Sequence, residues 1–412
     1  MKFDIKFNPK ETRKSFLYSL VLLAFLKPDS LSYLGLSWLD TLLIVLNGPI
    51  IIYLALLLLM RKYKISAIST CIICLFLSLT LSTILVSKDY LTLIKTAGPA
   101  IAICMFTDYA LQNNPKLYLK TTAKFLGVLY FLNFITILLY YPEGMYQTEY
   151  VVGDTYLMGF DNSMIYNLLP LCCFSILYSF VIKNKIFSKS SLSILALMLV
   201  SVIYVKTGTG MIQAVTFILL ILFVNYRMFK KLLRPAIFFA FFYVSTFLLT
   251  VFRIQDYFAD FIIGVMGKDL TFTGRTFLWD YAISVIQTNY NLLIGIGAGG
   301  RTVLGPNGHA YPHPHSLLLD FMYKGGIIML FCFIFLTIIF IYKFIHSHSD
   351  TVRKIILVTI FVFLLGEIVN STQYKVFFWA TFVLIGYSDR IAALQGEKQI
   401  KNYRLDGEAR LG

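Results

Sequence analysis

The chain has 412 residues, 58% hydrophobic and 14% charged, with a mean hydropathy of +0.75 and a net charge of +15. A soluble domain of that composition has too little polar surface to cover itself, which excludes the soluble classes. The basic residues are scattered over separate stretches and form no single patch, which argues against a nucleic-acid partner.

The start, "MKFDIKFNPKETRK", is polar and basic, and no small-residue cleavage site follows the first hydrophobic run. The first span is therefore expected to stay in the mature protein. Hydrophobic runs lie at about 15–27, 39–60, 65–86, 91–111, 122–141, 162–182, 190–206, 210–226, 235–252, 316–345, 355–370 and 376–389. Most approach the ~17–25 residues that cross a hydrocarbon core as a helix. The expected fold is all-α and polytopic, with about twelve transmembrane helices, short loops between spans 1–9 (residues 1–252), and spans 10–12 within 316–390. Residues 391–412 form a polar tail. The six cysteines (Cys71, Cys74, Cys104, Cys172, Cys173, Cys332) all fall inside hydrophobic runs, where packing is the preferred reading over redox chemistry.

Positive charge sets the sidedness. With the N-terminus inside, the inner segments carry 26 of the 36 basic residues, among them Arg61, Lys62, Lys183, Lys185, Lys230, Lys231 and Lys354. Both termini are expected in the cytoplasm of a bacterial plasma membrane. Two stretches break the short-loop pattern, and both fall outside: 142–161, acidic and aromatic, and the large loop 253–315. Loops of that length are usually functional. Within the second, "GRTFLWDYAISVIQ" places Phe277, Tyr281 and Val285 at four-residue steps, an amphipathic repeat suited to lying on the membrane.

Four outer clusters could carry chemistry. In "VKTGTGMIQ" (205–213), Gly208 and Gly210 allow a tight turn that exposes N–H groups, and Lys206 adds charge. On this stretch alone a plain helical hairpin is preferred. In "FTGRTFLWD" (272–280), Arg275 stands in the first turn of a helix, where the dipole disfavours it unless an anion binds there as well. The other reading pairs it with Asp280 or Asp269. In "IGIGAGGRTVLGPNG" (294–308) the glycines lack a βαβ context, so a flexible or close-approach loop is preferred over a dinucleotide site, with Arg301 as a second anion contact.

The fourth cluster is "GHAYPHPHSLLLDFMYKGG" (308–326). Zinc would need three or four converging ligands. His309, His313 and His315 are candidates, but the prolines stiffen the chain and no cysteine is near, so catalysis is preferred over metal. His315 falls at a helix entrance on the membrane boundary, with a pKa expected near neutrality, suited to taking a proton from a hydroxyl. A structural histidine is the alternative. Within the following helix, Asp320 and Lys324 stand at i and i+4 and should pair. Glu367 shows no partner in the sequence and is a cavity candidate.

Taken in order, "TGRTFLW", "NLLIGIGAGG" and "HPHSLLLDFMYKGGI" resemble the O-antigen polymerase and O-antigen ligase family (Wzy-type) of bacterial envelope glycosyltransferases, over about residues 200–390. The resemblance implies metal-independent, cofactor-free transfer of a glycan from undecaprenyl diphosphate to the hydroxyl of an acceptor lipid-linked glycan, outside the membrane. Arg275 would bind the diphosphate and His315 would assist the acceptor hydroxyl. Lys206, Gly208, Gly210, Arg301 and His313 would contact substrate. Membrane lipids, a flippase and a chain-length regulator would be companions. Two departures stand out. The family's Ser-Arg pair ahead of the large loop is replaced by Lys206-Thr207-Gly208, and lysine lacks the bidentate fork. Lys324 stands where the family has an acid before its Gly-Ile step. Ligase-type transfer to another anchor is one alternative function. A transporter or flippase is another, and it would favour internal repeats that the chain does not display.

Overall fold

The computed structural model of the protein describes residues 9–147, 155–226, 233–260, 274–288, 291–305, 310–372 and 374–395. Nine helices come first: α1 (Pro9–Phe25), α2 (Ser37–Leu59), α3 (Ala67–Ser82), α4 (Tyr90–Asn113), α5 (Pro115–Tyr140), α6 (Asp161–Lys183), α7 (Lys189–Val205), α8 (Gly208–Leu222) and α9 (Pro235–Thr250). Then come α10 (Arg275–Ile286), the single turn α11 (Asn291–Ile294), α12 (Leu317–His346), α13 (Asp350–Glu367) and α14 (Val376–Leu384). Two short antiparallel hairpins pair Thr155–Tyr156 with Gly159–Phe160, and Val303–Leu304 with Ala310–Tyr311.

Local chemistry explains where several helices begin. The Ser66 side chain accepts from the Ser69 N–H at 3.2 Å, Asp89 from Thr92 at 3.0 Å and Asn114 from Leu117 at 3.0 Å. Pro115 follows Asn114 at the first helical position, where its missing N–H costs nothing. Ser188 and Ser191 form a reciprocal capping box at the start of α7. Each such cap contributes ~0.5–2 kcal/mol.

Among the described residues, seven helices are long and apolar enough to cross a membrane: α2, α3 with its continuation to Ser87, α4, α5, α6, α12, and α14 with its continuation to Gln395. The chain is a multi-pass membrane protein. Seven is fewer than the expected twelve, for a physical reason. α7, α8 and α9 are apolar but have 17, 15 and 16 residues, below the ~20 a straight span needs. α1 opens with Lys10, Glu11, Arg13 and Lys14, and α13 carries Asp350, Arg353, Lys354 and Glu367.

α6 lies at the centre of the bundle. Its apolar window is 83% buried, against 22% for α2, which runs along the lipid side. α6 packs against α5, α7 and α13. Beside it, Trp379 and Phe382 of α14 meet Phe76 and Phe378 edge-on, with ring centroids 4.8 to 5.3 Å apart. Such pairs contribute ~0.5–1.5 kcal/mol beyond area burial.

The amphipathic helix α10 differs from expectation. Its buried face is Leu278, Trp279, Ala282, Val285 and Ile286, packed with Ile296, Val303, Leu319 and Tyr323 in a small core of its own. Phe277 is 48% exposed while Val285 is buried, so the Phe277–Tyr281–Val285 row does not share one lipid-facing side. The helix rests on the beginning of α12, because Trp279 and Leu278 offer more apolar area than the row the four-residue step picks out.

The glycine-rich stretch is a clamp. Gly326 has φ 66° and ψ −166°, a backbone state open to glycine alone, and it breaks α12 within its first turns. The Leu293–Gly297 segment fits into that break. Ile296 N–H donates to Tyr323 O at 2.9 Å and Gly297 N–H to Lys324 O at 2.8 Å. A Cβ on Gly326 would strike the Leu293 carbonyl, and one on Gly295 the Lys324 carbonyl. The next residue is tied to the end of α3, with Ala298 N–H donating to Thr83 Oγ1 at 2.9 Å and Ser87 Oγ to Ala298 O at 2.8 Å. Close approach, not flexibility, is what these glycines serve.

Candidate active site

The loop ends of α6, α10, α12 and α13 bring together polar groups that lie far apart in sequence. Arg275 opens α10 directly after Gly274, whose φ of 83° turns the chain into the helix. His313 and His315 precede α12, and their rings lie 4.4 Å apart. His315 holds φ 51°, a left-handed state uncommon outside glycine, and its N–H donates to His313 Nδ1 at 3.3 Å. That bond leaves the His313 proton on Nε2. The His315 Nδ1 is buried and has no hydrogen-bond partner among the described residues.

Both imidazoles are held neutral. Burial, then the charges of Lys324 and Arg275, push His313 down to about 3. Burial, then His313 and Arg275, hold His315 well below the ordinary histidine value, with Asn370 and Asp320 pulling the other way. The expectation of a near-neutral His315 is thus corrected, because a ring enclosed by protein beside cationic groups loses its charge first. Burial also lowers the Arg275 guanidinium from its usual value, against the opposing influence of Tyr166.

Arg275 does not take the Asp280 carboxylate that the sequence offers it. Asp280 pairs with Arg253, whose guanidinium also donates to Thr276 O at 2.8 Å and lies 5.9 Å from the centre of the Trp279 ring. Asp269 lies outside the described residues, as does His309, the third histidine of the metal reading.

Asp320 and Lys324 pair as expected, at 3.0 Å, and Ser371 Oγ donates to the same carboxylate at 2.6 Å. Lys324, held by this pair, also disfavours a charge on His313, an influence the sequence does not reveal. Glu367 is corrected too. It accepts from Thr372 N–H at 2.9 Å and from the Thr372 hydroxyl, so it ties down the segment after α13. That segment, "IVNSTQYK", escapes sequence reasoning altogether. Its signal is a run of Asn, Ser and Thr directly after an acid inside an apolar helix, the mark of a polar turn at membrane depth.

Lys206, Gly208 and Gly210 lie at the turn between α7 and α8. Lys206 caps α7 with φ 60° and is exposed, and Gly208 faces open space. A Cβ on Gly210 would strike the Thr207 hydroxyl, so its role is to close the hairpin. The Arg301 side chain is exposed, and its carbonyl accepts from Tyr323 OH at 2.8 Å, which fixes the backbone instead of aiming the guanidinium. The arrangement thus has a buried His313 and a half-buried His315, both neutral, with Arg275 acting on both and the Asp320-paired Lys324 on His313. It can hold an anion and accept a proton in one place.

Residues 193–334 match the family model described as O-antigen ligase, consistent with an O-antigen polymerase/ligase family. No curated protein and no solved structure matches the chain. Arg275, His313, His315 and Lys324 lie within the matched segment, and Tyr166, Glu367 and Asn370 lie beyond it.

Proposed function

With residues 193–334 matching the O-antigen ligase family, we propose that the protein is a repeat-unit polymerase of a surface polysaccharide, an O-antigen, capsule or exopolysaccharide. It transfers a glycan from undecaprenyl diphosphate to the hydroxyl of an acceptor lipid-linked glycan on the outer side of the bacterial plasma membrane. Twelve helices cross that membrane in this reading, with both termini inside and residues 253–315 outside. The shorter α7–α9 cross with help from their polar ends.

The observation that carries the reading is the pair of histidine rings with centroids 4.4 Å apart, one with a buried Nδ1 that has no partner among the described residues, inside the family-matched segment that also holds Arg275 and Lys324. A diphosphate placed there meets fixed cations and the Arg275 fork. The acceptor O–H gives its proton to the neutral His315 imidazole as its oxygen bonds to the anomeric carbon. The bond from that carbon to the diphosphate oxygen breaks, and undecaprenyl diphosphate departs with the electron pair. The departing oxygen gains a negative charge that the diphosphate delocalises and the Arg275 and Lys324 cations stabilise, so no divalent metal is required. Ligase-type transfer, which the description of the family model favours, uses the same step with a different acceptor.

Purified protein given its lipid-linked repeat unit should release undecaprenyl diphosphate and a glycan longer by one repeat, in EDTA as without it. Loss of transfer in EDTA that zinc restores would overturn the metal-free mechanism. Release of glycan onto a different anchor alone would select the ligase reading.

A further inference from the structure

Tyr374 is a side chain at this end of the bundle that the proposed chemistry leaves unused while remaining within reach of it. It is 45% exposed, and its ring lies 6.4 Å from that of His313, at an angle of 31°. Lys375 Nζ stands 5.2 Å from the centre of the same ring and pairs with Asp29 Oδ2 at 3.3 Å. The Tyr166 hydroxyl is fully buried, with the Asn370 side chain as its hydrogen-bonding neighbour and Glu367, Tyr374 and Arg275 acting on it electrostatically. Such a group beside a reaction centre is reason to look for a ligand that meets it.

We propose that Tyr374, Tyr166 and the Asp29–Lys375 pair form the subsite for the acceptor's reacting sugar. The inference rests on the transfer reading above. A sugar ring has an apolar face of C–H groups and a rim of hydroxyls, and the groups here match both. The accessible Tyr374 ring offers a flat apolar platform with a polar tip. The Asp29 carboxylate and Lys375 ammonium offer an acceptor and donors at its edge. The Tyr166 hydroxyl offers one more hydrogen bond from below. Arg275 and Tyr374 both neighbour the histidine pair, so a diphosphate on Arg275 leaves the Tyr374 side for the acceptor. Trp38 and Tyr140 are also exposed, but they lie at helix ends, as residues of an interfacial belt would. Tyr374 is set apart by His313, Lys375 and Asp29 around it.

Tyr166→Phe separates a ligand contact from a structural one. If the hydroxyl serves only the fold, deleting it lowers thermal stability and leaves the KM for the lipid-linked repeat unit unchanged. If it holds a sugar, stability is kept but KM for the lipid-linked repeat unit rises about tenfold, the ratio that one hydrogen bond of ~1.4 kcal/mol carries. Tyr374→Ala should raise that KM by a similar factor, and Tyr374→Phe should restore it, since the ring and not the hydroxyl is the platform. Binding of sugar-free undecaprenyl diphosphate is the second readout. It should stay within about twofold of wild type in all three variants, because they leave Arg275 untouched. Wild-type protein that transfers glycan, with Tyr374→Ala and Tyr166→Phe showing unchanged KM, would overturn the subsite and leave the transfer reading standing. Wild-type protein that neither binds undecaprenyl diphosphate nor transfers glycan would sink the transfer reading itself.

Discussion

His315 occupies a left-handed backbone state, and a residue held so costs ~1–3 kcal/mol unless its surroundings impose the conformation. Pro312 and Pro314 on one side and the start of α12 on the other impose it. Its neutral imidazole has a plain consequence for pH. Protonation would remove the base, and burial with His313 and Arg275 drives the protonation point well below the usual value. Transfer should therefore persist as pH falls through ~6.5, the unperturbed histidine pKa, and fail only well below it. A rate profile that breaks near ~6.5 would contradict this. His315→Ala should slow transfer by roughly 10²–10⁴-fold with binding of undecaprenyl diphosphate retained. Arg275→Lys keeps the charge and loses the fork, so binding of undecaprenyl diphosphate should weaken and transfer fall despite the conservative change. Normal product length from either variant would end that residue's catalytic assignment. At this scale the sequence is only partly legible. Arg275 and His315 stand out as residue types, but the depressed His315 pKa depends on its burial and on a balance with Asn370 and Asp320, whose closeness no spacing announces.

Helix α12 shows what a single element contributes. Its break at Gly326 receives the Leu293–Gly297 segment, and through Ala298 that segment is tied to Thr83 and Ser87 at the end of α3. Two glycine motifs well separated in sequence are thus one joint, and the joint lies where α12 is interrupted. Gly326→Ala adds a Cβ where the Leu293 carbonyl stands and forces alanine into a glycine-only state. It should cost more than ~1–3 kcal/mol, read as a lowered unfolding temperature, with activity lost in proportion to folded protein. Full stability in that variant would mean that the joint is not closed in solution. The Asp320–Lys324 pair just before the break is buried at its carboxylate, so Asp320→Ala should destabilise by ~3–5 kcal/mol. Loss of activity there reports on folding and not on chemistry.

At the scale of the whole molecule, the bundle places a polar cluster at one end of an apolar body. α6 brings Tyr166, α10 brings Arg275, α12 brings Asp320 and Lys324, and the segment after α13 brings Asn370 and Ser371. The topology proposed for it is open to direct test. Tags at Lys62, Lys185 and Lys231 should report the cytoplasm, and tags near Gly144 and Gly308 the outside. An impermeant external label reaching the Lys231 segment in intact cells would overturn the orientation, and with it the outer-side chemistry.

Composition and the spacing of apolar runs by themselves determined that the chain is a helical membrane protein, because hydrophobic length is a property of local sequence. The motifs around Arg275, Gly295–Gly299 and His315 likewise point to one family on their own, since each is a contiguous stretch. Tertiary structure alone decided which cations face the histidines, that Asp280 is claimed by Arg253, and that Glu367 is tied to Thr372. It also decided that the Lys206 and Arg301 side chains are exposed. The reason is that burial and long-range contact set both the charge of a buried ring and the partner of a buried acid. Those quantities depend on helices that the chain brings together only when it packs.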